Sequence, residues 1–179
     1  MDEIKELEKL DSTFTESGFK SKVDNMYIML LSSIIEGNMR PIQHKLSEEV
    51  YDKYCAFVDD LNTNNEIQLY DELNVKSTTI ESINITDEKY IINVILVSRY
   101  MPYVIDKDTK KFKRGNNRER VQIVNHLVLT KRRDATDEGI VRKCSYCGAP
   151  VDINRNGICK YCNKPYNTES HDWILESIN

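Results

Sequence analysis

The sequence predicts an α+β fold: N-terminal helices packed on one curved antiparallel sheet, with a short metal ribbon inserted before the last strand. Three observations carry this expectation. Apolar residues recur every three to four positions up to Leu61 and then give way to β-branched runs. No helical pattern separates those runs, so the strands join through turns and an all-parallel sheet is excluded. Finally, Cys144-Ser-Tyr-Cys147-Gly148 is answered after eleven residues by Cys159-Lys-Tyr-Cys162-Asn163. Two C-x-x-C pairs so spaced bring four thiolates to the corners of a tetrahedron.

Taken in order, Asp2 to Leu10 carries Ile4, Leu7 and Leu10 on one stripe and reads as a short amphipathic helix, ended by Asp11-Ser-Thr. A long helix is expected from Ser17 to Glu36, with Phe19, Val23, Met26, Tyr27, Leu30 and Ile34 inward and Gly37 as a left-handed stop. Pro41 opens a helical turn to Leu46, since proline suits a first helical position. Ser47 caps the next helix, whose first turn holds Glu48 and Glu49 and whose stripe is Val50, Tyr54, Phe57, Val58 and Leu61. His44, in the polar connection, reads as solvated, and Cys55 as a small core residue.

Beyond Glu66, Glu66–Val75 reads as a strand or an irregular lead-in and Thr78–Thr86 as a strand, with Asp87-Glu-Lys as a hairpin turn. A long strand follows from Tyr90 to Ile105, with Pro102 marking a bulge or an edge. After a polar, basic excursion, Glu119 to Lys131 is another strand. It places Val121, Ile123, Leu127 and Leu129 on one face, and Gln122, Val124, His126, Val128 and Thr130 on the other. His171 to Ile178 closes the sheet.

At 179 residues and net charge −4, with 30% charged residues, the chain suits one core plus a small appendage. Its apolar runs are too short to span a bilayer, which takes about 20 residues, and its acidic start is not a secretory signal. A cytoplasmic location, where thiolates stay reduced, is therefore expected. Acidic residues concentrate before Asp60, while Lys107 to Arg133 is rich in lysine and arginine; this predicts one basic end.

Cys144, Cys147, Cys159 and Cys162 are the candidate metal ligands. Gly148 and Asn163, after the second cysteine of each pair, are the residue types that most readily take the left-handed turn such a knuckle needs. The ligand set fits one structural Zn2+ per chain; a single iron is the alternative occupant. A redox dithiol would need one pair beside a strand–helix unit, and disulfides fit poorly without a secretory signal. Four protein ligands leave no open position, so the role is structural, and metal binding becomes folding energy for a polar segment with almost no core.

The residues Phe19-Lys-Ser-Lys-Val-Asp-Asn-Met-Tyr27, Pro41-Ile, Leu46-Ser-Glu-Glu-Val-Tyr51, Tyr103-Val-Ile-Asp106 and Asp172-Trp-Ile-Leu-Glu176 resemble the Tim44-like domain, including bacterial members interrupted late by a four-cysteine ribbon. The resemblance runs from about Phe14 to Ile178 and is most specific at the ribbon and the following Asp172-Trp173. It implies a nuclear-transport-factor-two-like (cystatin-like) cone. It divides the chain into a short helix at 1–13, the cone at 14–139 and 167–179, and the ribbon at 140–166. It also implies a non-enzymatic role, as in mitochondrial members that tether a chaperone to a translocon and touch lipid. This sequence shows neither the long N-terminal arm of the import scaffold nor the membrane helix of many bacterial members, so the import role is not carried over.

Three function classes follow. The first is a protein-interaction or scaffolding module, with Tyr146, Tyr161 and Tyr166 beside Lys143, Arg155, Lys160 and Lys164 as a contact surface for a protein partner. The second is a cone that holds a lipid or small hydrophobic ligand or works as an isomerase or dehydratase, with Asn93, Ser98, Tyr100, Asn125 and His126, and beyond them Arg99 and Glu81, as interior candidates. No catalytic set emerges, because His126 has no evident orienting partner. The third is nucleic-acid binding through the basic ribbon end, against which stands a pI of about 5.5. An anionic membrane surface could use the same basic patch.

Overall fold

Helical spacing and caps set the first third of the chain. In the computed structural model, which describes residues 2–133, 142–143, 147–151, 159–163 and 172–179, α1 spans Asp2–Leu10. It buries Leu7 fully and leaves Leu10 46% exposed, so the expected stripe packs only in part. Helix α2 (Glu16–Glu36) starts where the Thr15 side chain accepts the Gly18 N–H and stops at Gly37, whose φ of 69° lets its N–H reach the Ile34 and Ser33 carbonyls. Pro41 lies in a 3-10 helix, Arg40–Lys45, where His44 is half-buried rather than solvated. Ser47 caps α3 (Glu48–Thr63) by accepting the Val50 N–H. Val50, Val58 and Leu61 are buried, but Tyr54 is half-buried and Phe57 is 38% exposed, so the inward stripe is narrower than expected.

The sheet is antiparallel throughout. Strand β1 (Glu66–Ile85) pairs with β2 (Lys89–Asp106), β2 with both β3 (Phe112–Gly115) and β4 (Val121–Arg132), and β4 with β7 (Ile174–Ile178). The two strands expected before Thr86 are one strand bent by three register shifts, at 71/74, 75/77 and 80/82. Such bulges add an unpaired residue and curve the strand. That curvature explains how α3 contacts both β1 and β7, the two edges of the β1-β2-β4-β7 order. The helix is about 24 Å long and lies across a sheet whose edges curl toward it.

Strand β3 was not expected; the basic excursion holds a short strand that pairs with the far end of β2. Pro102 sits where β2 exchanges partners, between the last β4 pair at Tyr100 and the first β3 pair at Tyr103, a position where a missing N–H is tolerated. Its carbonyl accepts the Asn116 N–H at 2.7 Å. Arg142–Lys143 (β5) and Pro150–Val151 (β6) form a separate two-stranded ribbon. The last strand begins at Ile174, and His171 lies outside the described residues.

Strict alternation along β2 assigns its faces: Tyr90, Ile92, Val94, Leu96, Ser98 and Tyr100 are buried in the helix-facing layer with Leu30, Ile34, Ile42 and Leu129. Trp173 enters the same core, edge-on to Phe19 at 4.9 Å and beside Phe14 and Tyr90. Ser47 ties the helices to β7, donating its N–H to the Leu175 carbonyl and its hydroxyl to the Glu176 carbonyl. A buried ion pair, Lys131 to Asp11 at 3.0 Å, holds the α1–α2 connection against β4. Burial alone would raise the Asp11 carboxyl, but hydrogen bonds from Thr13 and Lys131 outweigh it and keep the group below its ordinary value.

Candidate functional site

Three of the four cysteines expected as metal ligands fall within the described residues, and they converge. The Sγ atoms of Cys147, Cys159 and Cys162 all lie within 4.8 Å of one another. Cys147 Sγ stands 3.7 Å from Cys159 Sγ. A tetrahedron of ~2.3 Å metal–sulfur bonds has sulfur–sulfur edges of about 3.8 Å, whereas a disulfide needs ~2.05 Å. The spacing fits a shared metal and is too long for a bond between the two sulfurs. Cys144 lies outside the described residues.

Local backbone explains the convergence. Gly148 and Asn163 have φ of 71° and 58°, the left-handed turn expected after each pair. The Asn163 N–H closes its turn on the Cys159 carbonyl at 2.8 Å. Cys159 is fully buried, with Ala149 and Cys162 packed against it. The backbone N–H of Cys162, then that of Tyr161 and the thiols of Cys147 and Cys162, hold the Cys159 thiol below its ordinary value against the opposing effect of burial. A thiolate favoured in this way is the ligand form that zinc or iron takes. Beside it, Tyr161 is 62% exposed with the Lys160 ammonium 5.2 Å from its ring centre. Tyr146, Arg155, Lys164, Tyr166 and the Lys143 side chain lie outside the described residues.

The interior candidates divide by strand parity. Ser98, Tyr100 and Asn125 face the helices: Tyr27 Oη is 2.8 Å from Ser98 Oγ and accepts the Asn125 amide at 3.2 Å. Tyr70 stacks edge-on to Tyr100 at 5.1 Å, and burial pushes the phenols of Tyr54, Tyr70 and Tyr100 above their ordinary value, leaving them neutral donors. Ser98, Tyr100 and Asn125 were expected inside, but their meeting with Tyr27, Tyr54 and Tyr70 was not legible, because those three come from α2, α3 and β1.

His126 is not an interior base. It pairs with Ile95 across the strands, on the face away from the helices, and is exposed. Asn93 and Arg99 share that outer parity, and Glu81 is exposed at a bulge. A strand shows successive side chains to opposite faces, so a base placed one residue from Asn125 is on the wrong side.

The expected single basic end is also corrected. Lys107 to Arg120 lies beyond the Tyr100–Val121 end of the β2–β4 pair, and Lys131 to Arg133 at its Lys89–Arg132 end, about 35–40 Å away along the strand. Several of these charges are neutralised in place. Lys113 and Arg114 hold Glu66 at 2.8 Å, Arg120 meets Glu72 at 3.5 Å, and Lys131 is buried on Asp11. Among the described residues, no helix is long and apolar enough to cross a membrane.

No curated protein matches the chain. Among solved structures, the chain is similar to the intermembrane space region of the chloroplast protein ARC6, at 8% identity and a TM-score of 0.46, over 93% of this chain and 95% of that one. The sequence model of the Tim44-like domain matches residues 1–139. With N-terminal helices laid on a curved antiparallel sheet and that match over most of its length, the chain belongs to the Tim44-like domain family.

Proposed function

We propose that this chain is a non-enzymatic interaction module of its family, stapled by one structural Zn2+ on Cys144, Cys147, Cys159 and Cys162 and working in a reducing compartment such as the cytoplasm. The observation that carries the metal is the convergence of three thiols at tetrahedral spacing. The metal supplies folding energy to the ribbon and, with no open position, no chemistry. A protein partner fits the exposed Tyr161 and Lys160 beside the stapled turn, since aromatic and cationic side chains anchor such contacts. A non-enzymatic role is favoured because His126, the candidate base, stands on the outer face, away from Ser98, Tyr100 and Asn125.

Two measurements test this reading. Elemental analysis of the chain purified without added metal should give one zinc per chain, and Cys159→Ser should lower it to near zero. Affinity capture at matched salt should retain a protein that Tyr161→Ala releases at least tenfold more readily. Zinc-free protein with unaltered ribbon signals, or capture indifferent to Tyr161, would sink the proposal.

A second reading rests on the tyrosine cluster. The Tyr54 and Tyr70 rings are half-buried, and among the described residues their hydroxyls have no hydrogen-bond partner, so they suit a small hydrophobic ligand or lipid with one acceptor group. A retained small molecule of fixed mass in native mass spectrometry, lost in Tyr54→Phe/Tyr70→Phe, would favour it.

A further inference from the structure

Strand β3 is exposed at every position and, among the described residues, pairs with β2 alone, so its second edge carries no strand. A strand this short holds its place only where it is anchored, and β3 is anchored twice. Glu66 accepts both guanidinium nitrogens of Arg114 and meets Lys113 besides. Gly115, at a φ of 103°, lets the strand lie against β2 where a Cβ would come within 2.5 Å of the Pro102 carbonyl oxygen. The turn that leads into β3 is fixed as well: the Asp106 carboxylate accepts the N–H groups of Asp108 and Thr109, and the Asp108 carboxylate accepts the Asn65 amide. Backbone donors and acceptors along the open edge are thereby held ready for pairing.

Charge around this edge is one-sided. From Lys107 to Arg120 seven basic residues stand against two acidic ones, a net of +5, so the rest of a chain of net −4 carries −9. Lys113, Arg114 and Arg120 are engaged by Glu66 and Glu72, whereas Lys107, Lys110, Lys111 and Arg118 are exposed and form no ion pair among the described residues. Phe112, 48% exposed, lies with its ring 6.2 Å from that of Tyr103 and gives the edge an apolar shelf.

We infer that the free edge of β3 is a strand-addition site and that its occupant is an extended, acidic segment of a partner protein with an apolar side chain for Phe112. Main-chain pairing supplies the affinity, and the lysines select the sign of the partner. A second β3 is refused, because two lysine-rich edges repel each other. A bilayer or a nucleic-acid backbone would cover the width of the hairpin and meet Asp71 and Glu72, both exposed on β1. An added strand would lie three strand spacings from β1, about 14 Å, beyond the ~8 Å at which physiological salt screens exposed charges, and would meet only lysine and arginine. Neither the cysteines nor Tyr161 enter this inference, so it and the zinc reading fail separately.

The test is fluorescence anisotropy on the full, metal-loaded chain, with the labelled peptide Glu-Val-Glu-Phe-Glu-Val-Glu as probe. Binding in the micromolar range is expected. Lys107→Glu/Lys111→Glu should weaken it at least tenfold, and Lys5→Glu, an exposed charge change on α1, should leave it unchanged. The same peptide methylated at every backbone nitrogen keeps its charge but cannot pair, and it should bind at least tenfold more weakly. Arg118→Glu repeats the test if the double variant does not fold. The inference is overturned by a wild type that ignores the peptide at 100 µM, by equal binding of the methylated peptide, or by equal losses in Lys5→Glu and the double variant. Tighter binding of a single-stranded oligonucleotide or of phosphatidylglycerol vesicles, lost in the double variant, would overturn it too and give the edge to that ligand.

Discussion

Glu66 shows how one side chain links sequence-distant segments. It opens β1, is largely covered, and accepts both guanidinium nitrogens of Arg114 at 2.8 Å together with Lys113, so the unexpected strand β3 is clasped to the start of the sheet. The Arg114 and Lys113 hydrogen bonds lower its carboxyl from an ordinary 4.5 to about 2. A group depressed on folding contributes stability above its unfolded value and loses it as pH falls through the folded one. The clasp is therefore complete above about pH 4.5 and lost toward about pH 2. Urea midpoints measured between pH 6 and pH 2.5 should fall less steeply for Glu66→Gln than for the wild type, and identical slopes would show that the clasp does not matter. The sequence contains all three residues, but nothing in their spacing announces that position 66 meets positions 113 and 114.

Among the elements, β7 has the greatest influence for its length. It is a five-residue strand that follows the cysteine segment, yet it carries Leu175 and Ile178 into the core and is preceded by Trp173, packed on Phe14, Phe19 and Tyr90. Lys22 reaches back to Asp172 at 2.9 Å and fixes the entry. Removing a buried aromatic of this kind costs about 3–5 kcal/mol. Trp173→Ala should lower unfolding free energy by about that much and unpair β7 from β4, seen as lost amide protection at Ser177 and Asn179. Full protection would mean that the Ser47 hydrogen bonds alone hold the strand. Element types were mostly legible, because periods of 3.6 and 2 and the caps at Ser47 and Gly37 are local. Two features were not. The bulges in β1 leave no mark in its residues, and β3 is too short and polar for its pairing to be read.

At the scale of the molecule, the core and the cysteine cluster are separate groups among the described residues. The buried cluster runs from Leu7 to Ile178 through helices and sheet, while among the described residues Cys159 packs with Ala149 and Cys162. Chelation of the metal-loaded chain should therefore abolish ribbon signals in nuclear magnetic resonance spectra and leave a cooperative thermal transition for the remainder; a single lost transition would show the two to be one folding unit. The sequence alone determined the fold class, the helix caps, the turn geometry after each cysteine pair and three of the converging thiols, because each depends on residues a few positions apart. Only the tertiary structure decided that His126 faces outward, that the basic residues lie at two ends, and that four tyrosines meet inside. These depend on strand register and on which elements pack together, and a shift of one residue in register reverses every face.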